Sequence, residues 1–279
     1  MADTEVARFV AKDTAAGTPA KATRRWSISS YFGRGRILFY QVLLIGGFLV
    51  LWEVAIRAGW IAVYLYGQPT GVWRELVKGF ASGTLLYDSW VTTQETVLGF
   101  LIGSLAGTAA GLLLWLTPTG AAVLRPLMVA LNGLPKIALA PLIIVWFGIG
   151  IESKIAVAAI ITFIVAMITS YAGTQEIDND YVRMLKSLGA SRFQIFRMVI
   201  APGSLPWITS AFRLNIGFAM IGAVVGEYIS AEHGLGYQIY YAGTLYNLNA
   251  VWGGILALIV LALVLDGLVG WVDNRMKWR

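Results

Sequence analysis

The sequence predicts an all-α integral membrane protein of six transmembrane helices, with its N- and C-termini cytoplasmic. Three observations predict it. Hydrophobic residues make up 58% of the chain and charged residues 13%, against about 25% charged in a soluble domain. The apolar residues gather into runs of about the 20 residues needed to cross a hydrocarbon core. Lys and Arg, which leave a net charge of +6, sit in the flanks of these runs, and orientation in a membrane accounts for them without a nucleic-acid partner. The 279 residues suffice for one domain of several membrane helices. With no cysteine there is no disulfide, thiolate metal site or cysteine nucleophile, and the redox compartment stays open.

Residues 1–36 are polar and small, lack an apolar region of signal-peptide type, and read as a disordered basic leader. Arg24, Arg25, Arg34 and Arg36 crowd against the first span, residues 37–56, which places this end in the cytoplasm. Residues 59–89 form an outer loop with an amphipathic turn. There Val72, Trp73, Leu76, Val77 and Phe80 follow Pro69, while Arg74, Glu75 and Lys78 face the other way. Two readings stay open, a helix lying on the membrane surface and a lid packed on neighbouring spans. The second span, residues 90–116, carries Gly99, Gly103, Gly107 and Gly111 at every fourth position, a small-residue stripe that lets another helix approach closely.

Span three, residues 121–147, contains Asn132, Pro135, Lys136 and Pro141. Prolines free backbone carbonyls, tolerated at membrane depth only against protein or a water-filled path. On a continuous helix Lys136 lies roughly 16 Å beyond Arg125, near the middle of a core about 30 Å thick. An ionisable group there marks a pathway by default; a broken helix instead lets it snorkel to an interface. Span four covers residues 154–171, span five 207–226 with Arg213 and Asn215 near its inner end, and span six 251–271. The outer segment 227–250 holds two carboxylates and His233 but no Lys or Arg.

Between spans four and five, residues 175–206 form the long polar interruption of the apolar half. Val182, Leu185 and Leu188 share one face at helical spacing, and Gly189 stands where a helix C′ glycine belongs. Ser191 and Gln194 make a capping box that opens a second helix through Phe193, Phe196 and Ile200, with Pro202 expected to end it. Two short helices at a tight elbow, carrying Arg183, Lys186, Arg192 and Arg197, form a docking element and not a span.

This elbow resembles the EAA loop of the membrane subunits of bacterial ABC importers, whose pattern is Glu-Ala-Ala, a glycine after three residues, and a closing Ile-x-Leu-Pro. Gly189 matches the glycine and Val199-Ile200-Ala201-Pro202 the close, while Arg183, Met184 and Leu185 replace Glu-Ala-Ala. Three further stretches are similar to the nitrate, sulfonate and taurine permease subgroup: Ala138-Leu139-Ala140-Pro141-Leu142 with Trp146-Phe147-Gly148, then Ser187-Leu188-Gly189-Ala190-Ser191, then Gly234-Leu235-Gly236-Tyr237. The likeness runs from about residue 64 to residue 278 and leaves the leader outside.

The resemblance implies a type I importer permease fold in the bacterial cytoplasmic (inner) membrane. It implies a homodimer of this chain around one path, an ABC ATPase dimer below, and a periplasmic or lipid-anchored solute-binding protein above. Coupling to the ATPase falls to Arg183, Leu185, Lys186, Leu188, Gly189, Ala190, Ser191, Arg192 and Phe193. The path candidates are Asn132, Lys136, Glu95, Arg213 and Asn215. The solute is expected to be a small anion of the nitrate, sulfonate or taurine kind, or alternatively a thiamine-precursor pyrimidine or a flavin. No G-x-x-x-x-G-K-[ST] loop is present, so ATP and Mg are expected on the partner, with no cofactor or metal on this chain. Composition alone leaves a secondary transporter as the alternative, although no internal repeat supports one. Without an H-E-x-x-H or G-x-S-x-G pattern, an enzyme is not expected.

Overall fold

The computed structural model describes residues 34–276. Residues 1–33 of the expected leader lie outside that range, and Arg34–Arg36 belong to the first helix. The described residues are helical, with no strand among them. Helix α1 (Arg34–Arg57) is an apolar run as far as Leu51, and Trp52 onward belongs to one compact unit. There α2 (Val63–Tyr66) and α3 (Pro69–Ala81) lead into the long α4 (Thr84–Leu116). Next come α5 (Pro118–Gly133), a 3-10 turn (Lys136–Leu139) and α6 (Ala140–Phe147), then α7 (Ile151–Gln175). The elbow is α8 (Asn179–Ser187), α9 (Arg192–Ile195), a π-turn (Phe196–Ile200) and α10 (Ala201–Gly203). Last are α11 (Leu205–Ser230), α12 (Leu235–Thr244) and α13 (Leu248–Met276).

Five of these helices, α1, α4, α7, α11 and α13, are long and apolar enough to span, and α5 with the 3-10 turn and α6 makes a sixth crossing bent by 96°. Packing shows why the bent pair must cross. The glycine stripe of α4 meets α7 in steps of four on both helices: Gly99 on Ala158, Gly103 on Thr162, Gly107 on Ala166 and Gly111 on Ser170. Contacts that rise together mean parallel helices. The chain therefore leaves the C-terminal end of α4 and must return to the level of its N-terminal end before α7 begins. On α11 the contacts run oppositely, Gly222 against Ala158, Gly226 against Lys154 and Trp207 against Gly173, so α11 is antiparallel to α7. Phe100, Ala158, Ile216, Ala219 and Leu265 join α4, α7, α11 and α13 in one buried cluster.

The stripe works by excluding side chains. A Cβ on Gly107 would stand 2.9 Å from the Ala166 methyl, and one on Gly111 would stand 3.0 Å from Ser170 Cβ, inside van der Waals contact. At Gly103 it would collide with the Thr162 side chain and the Ala159 carbonyl. Backbones this close permit a hydrogen bond from Thr162 Oγ1 to the Gly99 carbonyl at 3.3 Å. One layer deeper Asn215 Nδ2 donates to Ser104 Oγ (2.9 Å) and to the Thr162 carbonyl (3.2 Å). Three helices are thereby pinned at one level.

Four expectations need correction. Span three is not continuous: its ladder stops between Gly133 and Lys136, where Pro135 supplies no N–H, so the depth argument for Lys136 loses its premise. The outer loop ends at Gly83 and not at residue 89, because the turn there already starts α4. Glu227 belongs to α11 and not to the outer segment. Pro202 does not end the elbow's second helix. The wider π-turn before it interrupts the α ladder, and the chain continues through α10 into α11, where Pro206 occupies a first-turn site that needs no donor. For residues 59–83, α3 packs on its neighbours along one side only. Val72 is buried and Leu76 packs near Gly253 of α13, while Trp73, Val77 and Phe80 stay exposed.

Gly103→Leu forces α4 off α7 and should cost about 1–3 kcal/mol or more as overpacking. The midpoint of thermal unfolding in detergent should fall accordingly; an unchanged midpoint contradicts the close-packing account.

Candidate functional site

The elbow is built as its local sequence dictates. Asp178 accepts from Asp180 N at 2.9 Å and caps α8. Gly189 has φ 79°, a left-handed conformation that costs a residue with a Cβ about 1–2 kcal/mol. Ser191 Oγ accepts from Gln194 N (3.3 Å), and Gln194 Oε1 accepts from Ser191 N (2.7 Å), which completes the capping box of α9. The outward face is apolar and basic together. Leu188 is 75% exposed, Tyr181, Met184, Phe193 and Met198 are also exposed, and Arg183, Lys186 and Arg197 surround them. Val182, Leu185 and Ala190 are half-buried, Ser191 is exposed, and Ile195 and Ile200 are fixed in the interior. A surface of this kind needs a partner to cover it.

Arg192 is exposed as well, but its guanidinium is engaged on α4. Its Nη2 donates to the Trp115 carbonyl at the end of α4 (2.8 Å), and its guanidinium lies 5.3 Å from the Trp115 ring. That ring stacks on Phe196 at 6.2 Å, and Phe196 stacks on Phe193 at 6.4 Å.

At the opposite end lies a polar cluster that sequence reasoning missed as a site. Asp88 Oδ1 accepts from Gly234 N (2.9 Å) and Asp88 Oδ2 from Gln238 Nε2. Thr92 Oγ1 donates to Glu227 Oε1 (2.6 Å) and accepts from Leu235 N (2.9 Å), and Glu227 Oε2 accepts from Gly236 N (2.6 Å). The first N–H groups of α12 thus end on two buried carboxyls and a hydroxyl, the arrangement that a helix N-terminus favours. Lys154 places its ammonium on the carbonyls of Ile149, Gly150 and Ser230, one for each of its three donors. It joins the outer ends of α7 and α11. The only sequence signal was Gly234-Leu235-Gly236; its partners are too distant along the chain to be read.

The path candidates do not converge on one chamber. Glu95 is 2% exposed, lies beside the Glu227 carboxyl, and borders a cavity of about 660 Å³ that Gln94, Lys154, Glu232 and His233 also line. Asn215 is fully buried in the three-helix layer. Arg213 Nε pairs with Asp273 Oδ2 at 3.3 Å, which links α11 to α13. Asn132 is exposed and Lys136 half-buried, on either side of the break in span three. His233 stands 3.8 Å from Asp88 and edge-on to Tyr87. Among the described residues no cluster of His, Cys, Asp and Glu could hold a metal.

The model of the family described as "Binding-protein-dependent transport system inner membrane component" matches residues 99–278, a stretch that contains both the elbow and the glycine stripe. The chain belongs to this family. It is 31% identical over 189 residues to the taurine transport system permease protein TauC of Escherichia coli, covering 68% of this chain and 69% of that one. It is 30% identical over 236 residues to the riboflavin transport system permease protein RibX of Chloroflexus aurantiacus, covering 83% and 87%. An inward-facing structure of the MetNI methionine ABC transporter superposes with a TM-score of 0.62 at 19% identity, covering 71% of this chain and 98% of that chain, which supports the fold. This permease is therefore an integral multi-pass membrane protein, the ABC importer subunit that conducts solute, and a transport component rather than an enzyme.

Asp88→Ala should strand Gly234 N and the Gln238 amide in the interior, at about 1–3 kcal/mol for each unsatisfied group. Limited proteolysis should then nick residues 231–236 where the wild type resists; equal resistance removes the cluster's structural role.

Proposed function

We propose that this permease works as a homodimer in the bacterial inner membrane, with both termini and the elbow cytoplasmic. The elbow docks in a groove of an ABC ATPase dimer that carries ATP and Mg. A periplasmic or lipid-anchored binding protein delivers solute to the outer face. The observation that carries this reading is the elbow itself: capped at both helices, fixed in angle by Gly189, and exposing Leu188 and Phe193 between basic residues. An apolar centre with a charged rim is the anatomy of a protein interface. Arg183, Leu185, Lys186, Leu188, Gly189, Ala190, Ser191 and Phe193 supply the docking surface and its support.

The solute is a small molecule of the nitrate, sulfonate or taurine class, with a flavin or a thiamine-precursor pyrimidine as the second reading that the riboflavin relative favours. The break in span three supports a path beside Asn132 and Lys136, because irregular backbone at depth is tolerated where it faces protein or water. Glu95, Arg213 and Asn215 hold the helices that enclose that path.

Gly189→Val strains the turn and re-aims α9. The variant should insert and assemble as wild type yet lose co-purification with the ATPase, or hydrolyse ATP without uptake. Retention of both the ATPase and uptake contradicts docking through this elbow. Lys136→Met keeps the stem and removes the charge. In proteoliposomes containing the ATPase and binding protein, taurine uptake should drop about tenfold or more, the worth of one charged hydrogen bond, with the complex intact. Unchanged kinetics for both taurine and riboflavin place Lys136 off the path.

A further inference from the structure

Arg192 sits in the middle of the elbow, and its side chain, though exposed, reaches across to the end of α4. Its Nη2 donates to the Trp115 carbonyl at 2.8 Å, in the last turn of α4. That carbonyl is one of those a helix C-terminus leaves without an internal partner, and a cation there meets the negative end of the helix dipole. The same guanidinium lies 5.3 Å from the Trp115 ring centre, within the range of a cation–π contact. Phe196, on the π-turn, stacks on the other part of this joint, 6.2 Å from Trp115 with ring planes 30° apart. The carbonyl, the cation and two rings make a contact with direction as well as attraction, which a sliding apolar contact lacks.

What lies beyond the joint matters more. From Trp115 the chain runs outward along α4 through Gly111, Gly107, Gly103 and Gly99, each against α7 with no room for a Cβ. It ends at Asp88 and Thr92, which hold the first turn of α12. A helix clamped to its neighbour at every turn cannot bend locally, so a displacement at Trp115 reappears at Asp88. The elbow's other attachments, Ile177 on Gly203 and Trp207 on Gly173, join it to α7 and α11, so the Trp115 contact is a second hold on the α4–α7 pair that sets the elbow's angle against it.

We infer that Arg192 is a positioning residue acting inward: with Trp115 it forms the joint that locks the elbow's angle to the α4–α7 pair, so that motion of the elbow is passed to the pair without slack, and it does not contribute to the surface that binds the ATPase. This rests on the coupling role proposed for the elbow, and it divides that role into outward residues that bind and one residue that transmits.

The chain has no cysteine, so a single label can be placed without background. An environment-sensitive fluorophore on Leu86→Cys, an exposed position near the outer start of α4, reports motion at the far end when vanadate traps ATP in the assembled ATPase complex. In the Arg192→Gln background the ATPase should co-purify in wild-type amount, while the vanadate-induced signal falls about tenfold. Trp115→Ala, which keeps the carbonyl and removes the ring, should weaken the signal less. The double variant should be no worse than Arg192→Gln, because both act on one joint. Arg192→Lys, with charge but no planar fork, should recover part of the signal. Loss of the ATPase from Arg192→Gln overturns the inference by assigning Arg192 to the docking surface. A full signal in Arg192→Gln, or independent losses that multiply in the double variant, overturns it as well. The coupling reading fails separately: if Gly189→Val keeps both the ATPase and the full signal, the elbow itself is not the link, whatever Arg192 does.

Discussion

The constraint on which this structure depends is how closely two parallel helices can approach. Lipid is as apolar as leucine, so hydrophobicity does not drive α4 against α7; van der Waals contact between surfaces without side chains does. Four glycines at every fourth position give α4 a flat face. That face lets Thr162 reach the Gly99 carbonyl and lets Asn215 bridge Ser104 and the Thr162 carbonyl. Because the pair is parallel, the chain must cross the membrane once between its members, and the bent crossing through Pro135 follows from that requirement.

Both ends of this rigid pair carry polar devices, and they differ in kind. At the end where α4 starts the polar groups are buried: Asp88, Thr92 and Glu227 hold the start of α12, and Lys154 fills the space between backbone carbonyls. Removing one partner there leaves another stranded, so the device fixes geometry. At the other end the elbow is exposed, with apolar residues amid cations and a glycine that sets its angle. Rigid where the helices meet and exposed at the elbow, the chain has the mechanical form of a lever. It has no nucleotide loop with which to drive itself.

The sequence revealed what is encoded over short range. The cap at Ser191, the left-handed Gly189 and the stripe on α4 are each set within a few residues, and each appears where its spacing placed it. Features that join distant stretches were hidden. Gly234 and Leu235 find Asp88 and Thr92 across separations of 146 and 143 positions, and no local pattern announces such pairs. Arg192 looked like its neighbours Lys186 and Arg197 because charge is visible in a sequence and side-chain direction is not. The prolines of span three signalled an irregularity, but whether the helix would kink or turn through 96° depended on neighbours the sequence does not name.

The most direct measurement concerns the pair itself. Spin labels on Leu86→Cys and Glu152→Cys, at the outer starts of α4 and α7, report the separation of the two helices in an assembled complex that is hydrolysing ATP. The account predicts one distance distribution, the same without nucleotide and with ATP trapped by vanadate, because the glycine-packed pair moves as a single body. A distribution that shifts or splits between those states would show α4 sliding or tilting on α7, and would contradict it.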